Sequence, residues 1–373
     1  MAAVVASVVL FSTAPSYAVT YTATLLHPVG FTSSRAEGVS GNVQIGYATG
    51  PATGGVDHAF LWSGTAASGV DLNPAAFNSS RAVATSGARQ VGAGRNPVGP
   101  GETTSHAVVW SGTAGSAVDL HPAGYLNSTA LGISDTGTNQ AGYGTVPIPE
   151  TAGSVRLHAL LWSGSAASVV DIHPAGFTDS QALGFSGDSQ FGYGITPDPN
   201  SRTHALLWHG TAASVVDLHP AGFGSSRTFG GSATSQVGIG DGGQALLWHG
   251  TAESVVSLHP AGFYLSQALG ASESSQVGFG TTPATDPEAH ALLWHGTAAS
   301  VVDLHPLLSG LGHTFTTSIA EDISESGVIT GWARDASFRT YAVLWTPVPE
   351  PAASTLLIFG AAIGLTMHAR RAR

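Results

Sequence analysis

Cysteine is absent from this chain of 373 residues, and so is lysine: all 12 basic residues are arginine. Without cysteine there is no disulfide, no thiolate metal site and no cysteine nucleophile. Charge of either sign is scarce. Charged residues make up 9% of the chain, against about 25% in an ordinary soluble domain. The net charge is −11. Before residue 347 nine scattered arginines face 22 acids, which excludes the basic stripe that a nucleic-acid binder needs to neutralise phosphates. Apolar runs of helical length are missing before the last 27 residues. Low charge does not signal disorder here, because 43% of the chain is hydrophobic and Val, Leu, Trp and Phe recur throughout.

The two ends read as addresses. Residues 4–11 form a short apolar run, and Ser16-Tyr17-Ala18 then places small residues at the −3 and −1 positions of a cleavage site after Ala18. That is the layout of a signal peptide over residues 1–18, although no arginine precedes the run. At the other end Pro349-Glu350-Pro351 precedes an apolar stretch over 352–367 and then Arg370, Arg371 and Arg373. The stretch is slightly shorter than the roughly 20 residues of a comfortable bilayer span. Snorkelling arginines extend its reach and hold that end in the cytoplasm, so a transmembrane helix is expected over 352–367.

Residues 347–373 resemble the PEP-CTERM sorting signal of Gram-negative bacteria. The resemblance implies that Pro349, Glu350 and Pro351 are read by an exosortase-type processing protease. It also implies that the tail anchors the exported chain transiently in the inner membrane before release to the cell surface or extracellular matrix.

Residues 19–346 are built from copies of one unit. His204-Ala205-Leu206-Leu207-Trp208-His209-Gly210-Thr211 recurs at 290–297, and related copies start at His58, His106, His158, Gln244 and Tyr341. Trp62, Trp110, Trp162, Trp208, Trp248, Trp294 and Trp345 mark them. Each HALLW is followed by a small-residue linker, VVDLHP, AGF, SQALGFS and QVGYG. Most length variation falls after QVGYG, as in 95–105 against 241–243, which reads as surface loop. Each copy holds four apolar runs of about five residues, rich in strand formers and bounded by Gly, Pro, Ser and Asn. Four short strands in roughly 45 residues match one β-propeller blade, with the tryptophans as blade-core aromatics.

The ends of the repeat region complement each other. Leu25–Pro28, Ser34–Gly38 and Gln44–Tyr47 match the second, third and fourth runs of a copy, while Tyr341–Trp345 matches a first run with nothing after it. Together they are expected to make one shared blade, closing an all-β, seven-bladed propeller by pairing N- and C-terminal strands. An open β-solenoid is the alternative, and it needs no such complementarity. Residues 22–346 also resemble the HAF extracellular repeats, on the motif His58-Ala59-Phe60-Leu61-Trp62. That resemblance implies an exported repeat protein and little about activity.

Chemistry is harder to find. Fourteen of the 16 histidines occupy repeat positions, and Gln244, Tyr341 and Asn73 stand at equivalent places, a pattern that fits local hydrogen bonding better than zinc or copper ligation. A pair such as His209 with His219 is the sharpest metal alternative. The acids of the loops lack the dense spacing of a calcium loop. Neither metal nor cofactor is expected. No GxSxG, Walker or HExxH motif occurs. Gly192-Tyr193-Gly194 and Gly278-Phe279-Gly280 end strands and read as strand or bulge glycines. Only His313, Glu321, Asp322 and Glu325 break the repeat symmetry. They could form a carboxylate pair, but their place in the copy reads more simply as a solvated turn. The leading expectation is therefore a non-enzymatic surface protein that binds polysaccharide or other surface components. The alternatives are a polysaccharide-active enzyme on a propeller scaffold and a purely structural matrix protein. Buried carboxylates of one blade in a cleft would favour the enzyme.

Overall fold

A computed structural model describes residues 20–99, 102–149, 151, 153–285 and 287–348. Ala18, Pro349, Glu350, Pro351 and the 352–367 stretch lie outside them. Among the described residues no helix is long and apolar enough to cross a membrane. The chain divides into a unit over Ala23–Thr346 and a smaller one of Met1–Thr22 with Pro347–Arg373. In the smaller unit the Val348 N–H donates to the Thr20 carbonyl at 2.8 Å.

The larger unit is a propeller. Seven four-stranded sheets follow one another. The fourth blade shows the plan: Asp179–Ser186 is innermost, then Ser189–Ile195, Thr203–Trp208 and a two-residue outer strand, Val216–Asp217, each antiparallel to its neighbour. The run SQALGFS is thus the inner strand and HALLW the third, so blade boundaries fall inside the copies read from sequence. The last blade consists of Phe315–Ile323, Ile329–Asp335, Thr340–Pro347 and, outermost, the N-terminal Tyr21–Leu25. The two ends do pair, with the Leu26 N–H donating to the Ala342 carbonyl at 2.8 Å. The N-terminus contributes one strand to this blade rather than three, because Ser33–Ser40 and Val43–Thr49 belong to the first blade with Asp57–Trp62. Copy order alone cannot tell a hairpin from a crossing: the constant HPAGF turn is the crossing between blades, and the variable segment joins strands of one blade. In the second blade that segment is largely a longer hairpin, Gln90–Gly99 with Glu102–Trp110.

The seven tryptophans lie at or near the ends of the third strands and are 0–1% exposed. Six of them pack on the preceding blade: Trp162 joins Val91, Val109 and Leu120, and Trp208 joins Ala141, Ala159 and Ile172. Their Nε1–H groups are buried without an acceptor, a cost of about 1–3 kcal/mol each. Burying about 150–250 Å² of indole gains roughly 4–6 kcal/mol at 25 cal/mol/Å², so the site favours Trp despite the orphaned donor.

One irregularity recurs in every blade. The inner strand bulges at the same place, between Ala182 and Gly184 in the fourth blade and at the equivalent positions of the other six. The glycine opposite explains it: a Cβ on Gly192 would lie 1.9 Å from the Gln181 carbonyl oxygen. The second glycine of the pair has another reason, since a Cβ on Gly194 would come 2.6 Å from the Phe177 ring of the AGF turn. The bulged residues, one per blade, are Glu37, Val83, Leu131, Leu183, Phe229, Leu269 and Glu321.

Candidate functional site

All seven bulged residues line one central cavity of about 1010 Å³. Five are apolar. The other two, Glu37 and Glu321, stand on the two blades that meet at the ring closure, where the Val39 N–H of the first blade donates to Asp322 Oδ2 of the last at 2.9 Å. An aliphatic and aromatic collar with two carboxyl groups on adjacent blades is a low-dielectric setting for ionisable groups.

The three half-buried acids differ in their surroundings. Glu321 Oε1 accepts a hydrogen bond from Trp332 Nε1 at 2.7 Å. Burial, with the nearby charge of Glu37, pushes its carboxyl up to about 8, against the opposing pull of the Trp332 bond and Arg35. Burial also raises Glu37, but Arg35 and Arg81 oppose it. The Arg35 guanidinium itself lies over the Trp332 ring, 4.1 Å from the centroid, so one indole holds both a carboxyl and the cation beside it. Asp322 is occupied at both oxygens, by the Val39 N–H and by the Ile323 N–H at 2.9 Å. Burial lifts it to about 6, and its role is to fasten the last blade to the first. The site therefore contains one carboxyl that is neutral at pH 7 beside another that arginines draw toward ionisation, which is the asymmetry of an acid–base pair.

This corrects the sequence reading of Glu321 and Asp322 as solvated turn residues. Both lie in the inner strand Phe315–Ile323, half-buried in the cavity wall. Glu325 is in the turn and exposed, at the cavity mouth. His313 packs its ring on Tyr341, 4.4 Å between centroids, and takes no part in the cavity. Glu37 was missed. Its signal was its position, since it stands where other copies carry Val83, Leu131, Leu183, Phe229 and Leu269.

The histidines are held elsewhere. The pre-proline imidazoles of His27, His173, His219 and His259 take Ser34, Ser180, Ser226 and Ser266 Oγ at Nδ1, within 2.7–2.9 Å, and reach the carbonyls of Phe31, Phe177, Phe223 and Phe263 through Nε2. His58, His106, His158, His204 and His290 pair through Nδ1 with Asp71, Asp119, Asp171, Asp217 and Asp303 at 2.7–2.8 Å. His209 pairs with Ser189 Oγ at 2.8 Å, so it and His219 have separate partners. Among the described residues no group of three or more His, Asp or Glu is placed to hold a metal ion.

No family model matches the chain, and no curated protein does. Solved structures do. Puromycin hydrolase aligns at 13% identity with a TM-score of 0.53, over 83% of this chain and 53% of that one. The β-propeller domain of the trilobed protease from Pyrococcus furiosus aligns at 9% and 0.56, over 84% and 95%. Pyrococcus horikoshii acylaminoacyl peptidase aligns at 10% and 0.56, over 89% and 55%. These likenesses show the fold. The chain spans about half the length of puromycin hydrolase and of the acylaminoacyl peptidase. The expectation of a non-enzymatic surface repeat does not stand. The three structures named above are peptidases or a protease's propeller, and Glu321 and Asp322 of the last blade lie half-buried in the cavity wall, the arrangement set out for the enzyme alternative.

Proposed function

We propose that the chain is a polysaccharide-active enzyme on a propeller scaffold, with Glu321 and Glu37 as its acid–base pair. The observation that carries this is the collar of seven equivalent residues in which only these two, on meeting blades, are carboxyls. Glu321, neutral at pH 7, is the general acid that protonates the departing glycosidic oxygen. Glu37, where Arg35 and Arg81 oppose the rise that burial causes, is assigned the base, taking a proton from the water that attacks the sugar carbon as its bond to that oxygen breaks. Trp332 orients Glu321, and the apolar collar excludes water and lies against the sugar faces.

The test is release of reducing ends from polysaccharides by the purified protein. Glu321→Gln should lower kcat by about 10²–10⁴-fold, and unchanged turnover in that variant would overturn the assignment. A peptide substrate is the second reading, favoured by the likeness to peptidase propellers; two carboxyls sharing a proton also hydrolyse peptides. Peptide cleavage lost in the same variant would establish it instead.

Export belongs to the proposal as well. It rests on the sequence of the two ends: cleavage after Ala18, transient anchoring through 352–367 in the inner membrane, and removal of the tail at Pro349-Glu350-Pro351 by an exosortase-type protease, releasing the HAF-like repeat region to the surface or matrix. Glu350→Ala should leave the unprocessed chain in the inner membrane, read by intact mass. Released protein still ending at Arg373 would refute it.

A further inference from the structure

The cavity collects acids and excludes bases. Its wall and mouth include Glu37, Glu321 and Asp322 within and Asp135, Glu273 and Glu325 at the rim, with no arginine or histidine among the lining residues and no lysine in the chain. Elsewhere the scarce cations are spent on acids: Arg81 bonds Asp57 through Nε at 2.7 Å, Arg334 bonds Glu288 at 3.1 Å, and five histidines pair with aspartates. Among the described residues no arginine or histidine nitrogen forms an ion pair with any of the six cavity acids.

Two of the exposed rim acids are tied by polar contacts. Thr234 Oγ1 donates to Glu273 Oε2 at 2.9 Å, and the Glu273 N–H donates to Glu325 Oε2 at 3.2 Å. These bonds fix two carboxylates on neighbouring blades at the entrance of an apolar collar. Three exposed rim carboxylates at the mouth of an apolar, low-dielectric passage attract positive charge and repel negative charge. A ligand that also fills the collar needs apolar faces. A small inorganic cation lacks those, and the described acids do not converge into a set that would ligate one.

We infer that the cavity takes a polysaccharide whose sugars carry free amino groups, the ammonium groups facing the acids and the ring faces lying on Leu131, Leu183, Phe229 and Leu269. This rests on the proposed polysaccharide-active reading and names its substrate class. A neutral glycan would gain nothing from the rim carboxylates, and an anionic one would be repelled.

The experiment compares binding of a glucosamine oligomer with its fully N-acetylated counterpart of equal length, by calorimetry on the intact protein at low and at moderate salt. The glucosamine oligomer should bind at least about tenfold tighter at low salt, and the preference should shrink as salt screens it within a Debye length of about 10 Å at 0.1 M. The exposed rim variant Asp135→Asn/Glu273→Gln/Glu325→Gln should lose most of the preference while unfolding at the temperature of the parent. Equal affinity for the two oligomers overturns the inference, as does a preference that survives in the rim variant. Tight binding of an arginine-rich peptide without binding of the glucosamine oligomer also overturns it, in favour of a basic peptide. Binding is read without turnover: amine-selective binding with no hydrolysis sinks the catalytic reading alone, and hydrolysis without amine preference sinks this inference alone.

Discussion

Glu321 places a protein-wide cost on one side chain. In the folded chain its carboxyl titrates at about 8, far above the usual carboxylate range, because burial and Glu37 disfavour its charge. The native state therefore keeps a proton that the unfolded chain has released by the time pH exceeds about 4.5, and stability falls as pH rises from there to about 8. Glutamine cannot ionise. Glu321→Gln should raise the melting temperature by about 2–4 °C, more at pH 8 than at pH 5, while removing activity; a gain that is the same at both pH values would contradict the buried acid. Trp332 works in the opposite direction, since its N–H bond favours the charged form. Trp332→Phe should move the alkaline limb of the pH–rate profile upward, with kcat affected more than KM; an unmoved limb would reduce Trp332 to wall packing. Glu37 could have been found by aligning the copies, because a lone carboxyl in a column of Val, Leu and Phe is a local contradiction. What could not be read was the direction of that column. Alternation along a strand gives two faces, and only the bulge, set by the glycine across from it, turns this residue to the centre.

At the scale of elements, a three-bond relay joins blades. The Ala159 N–H donates to Ser180 Oγ, whose hydroxyl serves His173 Nδ1, whose Nε2 proton goes to the Phe177 carbonyl. A carbonyl only accepts, so the ring proton sits on Nε2 and Nδ1 receives. Asn73 does the same work in the second blade: its Oδ1 takes the Ser80 hydroxyl at 2.6 Å and its Nδ2 donates to the Phe77 carbonyl at 3.1 Å. His173→Asn should thus cost less than about 1 kcal/mol, and His173→Leu about 1–3 kcal/mol for the serine and carbonyl left unserved, read from denaturant midpoints. Burial pushes His27, His121, His173, His219 and His305 below the ordinary imidazole value. The unfolded chain takes up protons first as pH falls below about 6.5, so this contribution is present above that value and lost beneath it. It opposes the Glu321 effect, and the Glu321→Gln variant should reveal it as a decline in melting temperature between about pH 6.5 and 5. The hydrogen-bonding role of these positions was legible in the Asn73 replacement, because Asn shares with His one donor and one acceptor.

For the whole molecule, strand number, blade number and closure by the two ends were legible, because four short apolar runs per copy admit few architectures. The phase was not. A ring with near-identical copies looks the same wherever the blade boundary is drawn, and only the pairing of Tyr21–Leu25 beside Thr340–Pro347 fixes it. Removing residues 20–26 should expose that third strand and lose the fully buried Leu26. With about 1.5–3 kcal/mol for the leucine alone, the melting temperature should drop by about 5–10 °C. Shortening 197–201, a connection spanned by the Thr196 N–H to Arg202 carbonyl bond, should change it little. Equal losses would mean the seam carries no special share of stability.

The outer strands of the first six blades are two residues long, and five of them end in aspartate. A rim so short and so negative offers a neighbouring molecule neither a template for added strands nor a welcome, which protects a repetitive, weakly charged protein from side-by-side accretion. The seam departs from this. Tyr21–Leu25, outermost of its blade among the described residues, is five residues long and carries no charge, so the strand that seals the ring has neither the brevity nor the negative charge of the other six.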